Sequence, residues 1–153
     1  MIVYRYAPHS ELQQVLNQDM SNVGGAVHGE RECNTHSYKQ DQRYMHFMYS
    51  IHDIKEIRLL KKDDPQDYYI CMYNIPQLHL LRGYGKGYYE AHGYDCDYLT
   101  LTEFAVPTDK VKPSYLKGYI KDEDKSMPLS QVVSTIKRRE YTQPVFKNSD
   151  PCQ

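Results

Sequence analysis

Apolar residues in this chain come in short runs, each bounded by proline, glycine or charge. Ile2-Val-Tyr-Arg-Tyr6 is rich in β-branched and aromatic residues and reads as a first strand. Ser10 then reads as an N-cap, with Leu12, Val15 and Leu16 on one face of a short helix over Glu11–Leu16. Residues 17–43 are polar and contain Gly24-Gly25; a stretch of that length inside a compact domain suggests a binding loop or lid. Arg43–Met48 predicts a second strand, with Tyr44, His46 and Met48 on one face and Met45 and Phe47 on the other. Ser50 precedes a helix whose Ile51, Ile54 and Ile57 are spaced for burial. A charged turn, Lys61–Asp67, leads into a third strand over Tyr68–Ile75. Pro76 is placed to open a helix through Leu81. Tyr98–Pro107 predicts a strand that stops at a proline, and Tyr115–Ile120 a last strand. Lys121–Lys125 reads as a charged linker, Met127–Glu140 as a short helix, and the final dozen residues as tail.

The resulting order is β-α-loop-β-α-β-α-loop-β-β-α, which predicts an α+β domain rather than a regular parallel sheet. Residues 1–125 form the domain, and 126–153 a C-terminal helix and tail. Two charges sit badly in this pattern. Arg5 is a guanidinium in the middle of a short strand: either an edge-strand charge in solvent or a planar fork for a phosphate or carboxylate. Glu103 falls on the same alternating face as Leu99, Leu101 and Ala105. A carboxylate there is costly unless it is paired or used. It is either at a sheet edge, solvated or salt-bridged, or it is held at the wall of a cleft.

Composition narrows the classes. At 153 residues, with 40% hydrophobic and 25% charged, the chain suits one soluble domain with a single core. A net charge of -1 gives no general pull toward nucleic acid or acidic membranes. No apolar run approaches membrane-spanning length, and Met1 leads straight into a strand pattern, so a cytoplasmic location is expected. Cys33, Cys71, Cys96 and Cys152 form no CxxC pair and read as free thiols in a reducing cytosol, with a disulfide or metal cluster as the alternative. Tyrosine is the outlier, with sixteen against three Phe and no Trp; it suits the walls of polar, ring-binding pockets and fills cores equally well.

Several chemistries find no motif. There is no GxSxG and no HExxH, and His36 and His46 stand alone, so no metal site is expected. Gly83-Tyr-Gly-Lys-Gly-Tyr-Tyr89 imitates a phosphate loop but follows a predicted helix rather than a strand and lacks GKS or GKT. Asn34-Thr-His-Ser-Tyr38 is a tight cluster of hydrogen-bonding side chains, read either as a turn or as part of a binding loop.

The order of the remaining parts resembles the ADP-ribosyltransferase superfamily. Val3-Tyr-Arg-Tyr6 with its helix, Asn34–Tyr38 running into Tyr44–Met48 and Ser50–Ile57, and Leu101-Thr-Glu-Phe-Ala-Val-Pro107 followed by Tyr115–Ile120 carry the likeness, across residues 2 to 120. The last piece is most similar to DarT-type nucleic-acid ADP-ribosyltransferases, whose catalytic glutamate also lies in a strand ending in Val-Pro. Two departures stand out: no Ser-Thr-Ser element occurs on the second strand, and Leu101 occupies the place where arginine-modifying members carry a carboxylate.

The resemblance implies an ADP-ribosyltransferase-like split β-sandwich with flanking helices over residues 1–125. It implies NAD as ADP-ribose donor and a nucleic-acid base or protein side chain as acceptor, with protein arginine disfavoured. Glu103 would be the catalytic carboxylate, stabilising the oxocarbenium-like state formed as the nicotinamide bond breaks. Arg5 and the adjacent Tyr6 would hold the cofactor, with Arg5 on a pyrophosphate or ribose edge. Tyr38, Tyr44 or Phe47 would stack on a ring, and Asn34, Thr35, His36, His46 and Ser50 complete the binding set. A small toxin or effector, acting in a cytoplasm and met by an antitoxin or regulator, fits this size. Two other readings stand beside it: a catalytically inert module of the same fold that binds a nucleotide or partner, and a NAD glycohydrolase.

Overall fold

The computed structural model describes residues 1–26, 42–79, 81–82 and 103–146, with backbone alone at 26, 78, 81, 82 and 103. Its strands are β1 (Ile2–Pro8), β2 (Gly25–Ala26), β3 (Arg43–Met48), β4 (Tyr68–Asn74), β5 (Leu81–Arg82), β6 (Glu103–Pro107) and β7 (Leu116–Lys121). Its helices are α1 (His9–Leu16), α2 (Lys55–Leu60) and α3 (Leu129–Ile136). The strands form one sheet in the order β5-β6-β3-β1-β4-β7, with β2 paired to β3 off that path. Every pairing is antiparallel, as expected of an α+β domain.

Both faces of the sheet carry core. Val3, Ala7, Met45, Phe47, Cys71, Tyr73 and Val106 pack with Leu12, Val15 and Leu16 of α1. Tyr6, Met48, Tyr68, Ile70 and Ile120 pack with Ile54 and with Ile136 of α3. β1 therefore alternates between two buried environments. Leu12 and Val15 are 2% and 0% exposed, and each side chain buried this far contributes about 1.5–3 kcal/mol.

This architecture corrects several expectations. Arg5 is not an edge charge in solvent, because β1 is paired on both sides and the side chain is only 16% exposed. β6 is not an edge either, since β3 and β5 flank it. Of the predicted 98–107 strand, Glu103–Pro107 is strand, and 98–102 lie outside the described residues. The helix predicted after Pro76 is one 3-10 turn, Gln77–His79, because Leu81 and Arg82 pair with Ala105 and Phe104 instead. Ladder bonds to β6 outcompete a helix with so short an apolar stripe.

α1 starts at His9, with Pro8 in the capping position and no side-chain cap; Ser10 lies inside its first turn. Ser50 does cap, though its element is a 3-10 turn, Ile51–Ile54, followed by α2. α3 is shorter than Met127–Glu140 and begins after Pro128. Within residues 129–142 the chain packs on the sheet: Val133 and Ile136 are buried, and Thr142 bridges to Tyr119.

Candidate functional site

The three strands that bear the motifs are neighbours, in the order β6-β3-β1, although they lie far apart in sequence. Tyr4 registers with Met48, and Met48 with Glu103, so one row crosses all three. β1 is joined to β4 through seven registered pairs, Ile2 to Pro8, and β3 to β6 through five. Between β1 and β3 the one registered pair is Tyr4↔Met48. β1 and β3 are thus paired over a shorter length than β1 and β4 or β3 and β6.

Arg5 bridges the two strands. Its Nη1 donates to the His46 carbonyl of β3 at 2.9 Å, a side-chain rung where backbone rungs are few. α1 begins directly after β1 and lies over the Val3–Ala7 face, which brings Glu11 of its first turn back to Arg5. Nε donates to Glu11 Oε2 at 2.8 Å and Nη2 to Oε1 at 2.6 Å. Burial works against the guanidinium charge, but the Glu11 charge and hydrogen bonds outweigh it and raise the Arg5 pKa. Such a pair gives modest net stability, because desolvation offsets most of its attraction. It fixes the plane of the guanidinium.

The other expected site residues are placed as follows. Glu103 has its backbone in β6, opposite Met48, and its side chain lies outside the described residues. Asn34, Thr35, His36 and Tyr38 lie outside them as well. His46 is half-buried, registered with Ala105. Tyr44 is 2% exposed beside Pro107. Phe47 is fully buried edge-on to Tyr73, with ring centroids 5.1 Å apart, and is a core residue rather than a stacking surface. The Ser50 hydroxyl accepts from His52 N–H, while the Asp53 carboxylate accepts from Ser50 N–H.

Tyr6 belongs to a different network, on the face opposite α1. Its ring stacks on Tyr68 at 4.9 Å, and its hydroxyl donates to Asp122 Oδ2 at 2.7 Å. Arg58 donates to the same carboxylate from Nε at 2.7 Å and from Nη2 at 3.3 Å, and also to the Asp124 carbonyl. Burial, then Asp122, push the Tyr6 phenol far above its ordinary range.

Sequence reasoning missed Glu11, Arg58 and Asp122. Glu11 read only as the first residue of a short helix, and Asp122 as part of a charged linker. It also missed Tyr49, which follows Met48, is 58% exposed and lies 6.2 Å from the Phe104 ring. A cleft of ≈ 490 Å³ lies at the other end of β3 and β6, lined by Met20, Ser21, Gln42, Arg43, Thr108 and Asp109. It is about 16 Å along the strands from the Met48–Glu103 row at ordinary strand rise. Arg43 there is engaged with the Gly24 carbonyl at 2.8 Å.

Among the described residues no group of three or more His, Cys, Asp or Glu could hold a metal ion, and no helix is long and apolar enough to cross a membrane. Cys71 is a buried free thiol. Comparison with protein-family models, with curated proteins and with solved structures finds no match.

Proposed function

We propose that this chain is a NAD-dependent ADP-ribosyltransferase with Glu103 as its catalytic carboxylate and a macromolecular acceptor, a nucleic-acid base or protein side chain. The observation that supports the reading is the adjacency of β1, β3 and β6; Glu103 falls in register with Met48 and Tyr4, whereas Arg5 lies one position on, with Val3 and Ala7 on the face under α1. Chain order alone did not require that Arg5, the Tyr44–Ser50 region and Glu103 lie on neighbouring strands. Within this reading Arg5 braces β1 against β3, and Tyr6, Tyr44 and Phe47 support the site from the core rather than stacking on the ligand. A toxin or effector role, with an antitoxin or regulator as partner, belongs to the same proposal.

A second reading, an inert module that binds a nucleotide or partner, draws support from Arg5. Three of its five N–H groups are already engaged within the fold. Labelled NAD incubated with the chain, nucleic acid and lysate separates the readings. Label transfer that is lost in Glu103→Ala and kept in the exposed Glu123→Ala supports the enzyme, and mass spectrometry of the labelled species then identifies the acceptor. Nicotinamide release without transfer indicates a glycohydrolase. NAD binding with neither transfer nor hydrolysis indicates the inert module.

A further inference from the structure

Arg58 of α2 is buried, with its side chain 7% exposed, and the fold uses only part of it. Asp122 takes the Nε N–H and one from Nη2, and the Asp124 carbonyl takes the other from Nη2. The two N–H groups of Nη1 have no partner among the described residues, and Nη1 is not sealed from solvent. Arg58 lines a cavity of ≈ 220 Å³, onto which Nη1 therefore opens. One water needs roughly 10–15 Å³, so the space admits a larger guest. Three further cations line it, Lys55, Lys62 and Lys125, against one carboxylate, Glu56. Lys125 donates to the carbonyls of Lys61, Asp64 and Gln66, so it supplies charge here rather than a donor. Lys55 and Lys62 are exposed and form the rim, while Arg58 forms the floor.

We propose that this cavity binds a phosphate monoester, with Arg58 Nη1 donating from the floor and Lys55 and Lys62 closing on it from the rim. Asp122 grips the Nε–Nη2 edge in two bonds and fixes the guanidinium plane, so Nη1 keeps its aim without a ligand. A phosphate group has three terminal oxygens and up to two charges, enough for Nη1 and both rim ammonium groups at once. A carboxylate has two oxygens and one charge, and binds more weakly. Leu59, which is 64% exposed, and Leu129 add apolar surface for the carbon body of the ester. None of these residues belongs to the set proposed for NAD, so this site stands whether or not that reading holds.

The test titrates inorganic phosphate and phenyl phosphate into the whole chain at constant ionic strength, with acetate as control. Both phosphates bind saturably and more tightly than acetate; no saturable phosphate binding overturns the proposal. Arg58→Met with Asp122→Leu removes the floor donors, keeps the net charge and leaves no unpaired buried charge. Phosphate affinity falls about 10-fold or more in that variant, as expected on losing a charged hydrogen-bonding group. Lys62→Gln weakens binding and Glu56→Gln strengthens it, each by about twofold to fivefold. Lys112→Gln makes the same charge change outside the cavity and leaves affinity unaltered. Affinity that survives the double change, or that falls equally in Lys62→Gln and Lys112→Gln, overturns the site in favour of diffuse surface charge. Nitrogen NMR on labelled wild-type protein needs no variant: phosphate shifts the Arg58 Nη1 signal, and a signal that stays in place overturns the proposal. Vesicles of phosphatidylcholine with and without phosphatidic acid separate two sources of the same group. Sedimentation with the phosphatidic acid vesicles, lost in the double variant, supports a lipid phosphate, and phosphate binding without sedimentation supports a soluble ester.

Discussion

Truncating Asp122 to alanine removes one carboxylate and strands two partners. Arg58, whose side chain is 7% exposed, loses bonds of 2.7 and 3.3 Å, and the buried Tyr6 hydroxyl loses one of 2.7 Å. Breaking a buried pair while leaving the cation in place costs about 3–5 kcal/mol. The Tyr6 bond, charge-assisted, is worth about 1.5–3 kcal/mol taken alone, but the two losses share one acceptor and do not add. A net loss of about 4 kcal/mol is therefore expected. With a urea slope of about 2 kcal/mol per molar, the unfolding midpoint falls by about 2 M. Tyr6→Phe keeps the Tyr68 stack and the Arg58 pair, and loses less. The double change Arg58→Met with Asp122→Leu recovers much of the loss, because it leaves no unpaired charge. Urea melts followed by circular dichroism measure all four proteins. An Asp122→Ala loss below about 1 kcal/mol, or a double variant no better than the single, would refute the view that unpaired burial dominates here.

Three further outcomes are expected of the same fold. Burial, with Asp64 assisting, pushes the Tyr68 phenol up to about 12, and burial pushes Tyr141 up to about 12, with Tyr6 higher still. The unfolded chain releases these protons near pH 10, so stability is complete below about pH 10 and falls toward pH 12; melting temperatures that stay flat across that window contradict the shifts, and Tyr68→Phe makes the fall shallower. Gly24 has φ +80°, and a Cβ there would lie 2.5 Å from the Tyr44 carbonyl oxygen and 2.8 Å from Thr108 Oγ1, whereas one at Gly25 meets nothing within 4 Å; Gly24→Ala costs about 2 kcal/mol or more in a thermal melt, and Gly25→Ala costs less than about 1. Phe47→Leu loosens the edge contact with Tyr73 and costs about 1–2 kcal/mol, while NAD binding per folded molecule is unchanged; a tenfold loss of affinity with stability intact would return Phe47 to the ligand.

Local pattern was enough for most elements. Arg43–Met48, Tyr68–Asn74 and the strand ending at Pro107 follow from alternation and a terminal proline, and the Ser50 cap from its side chain. The element after Pro76 was misjudged because its β5 segment exists only through pairing with β6. Period alone does not tell a short apolar run in a helix from one in a strand. Of the site, Arg5 and Glu103 were legible as charges in the wrong place. Their surroundings were not: Glu11 and Asp122 are ordinary acidic residues until α1 folds back on β1 and the linker reaches Tyr6 and Arg58.

The sequence by itself determined an α+β domain and two strand charges that needed a reason, because side-chain period and burial cost are local quantities. The tertiary structure decided which strands are neighbours and which partners Arg5 keeps. Those depend on contacts between residues such as Arg5, His46 and Glu11, where a bidentate clamp and one backbone carbonyl turn an isolated arginine into an oriented one.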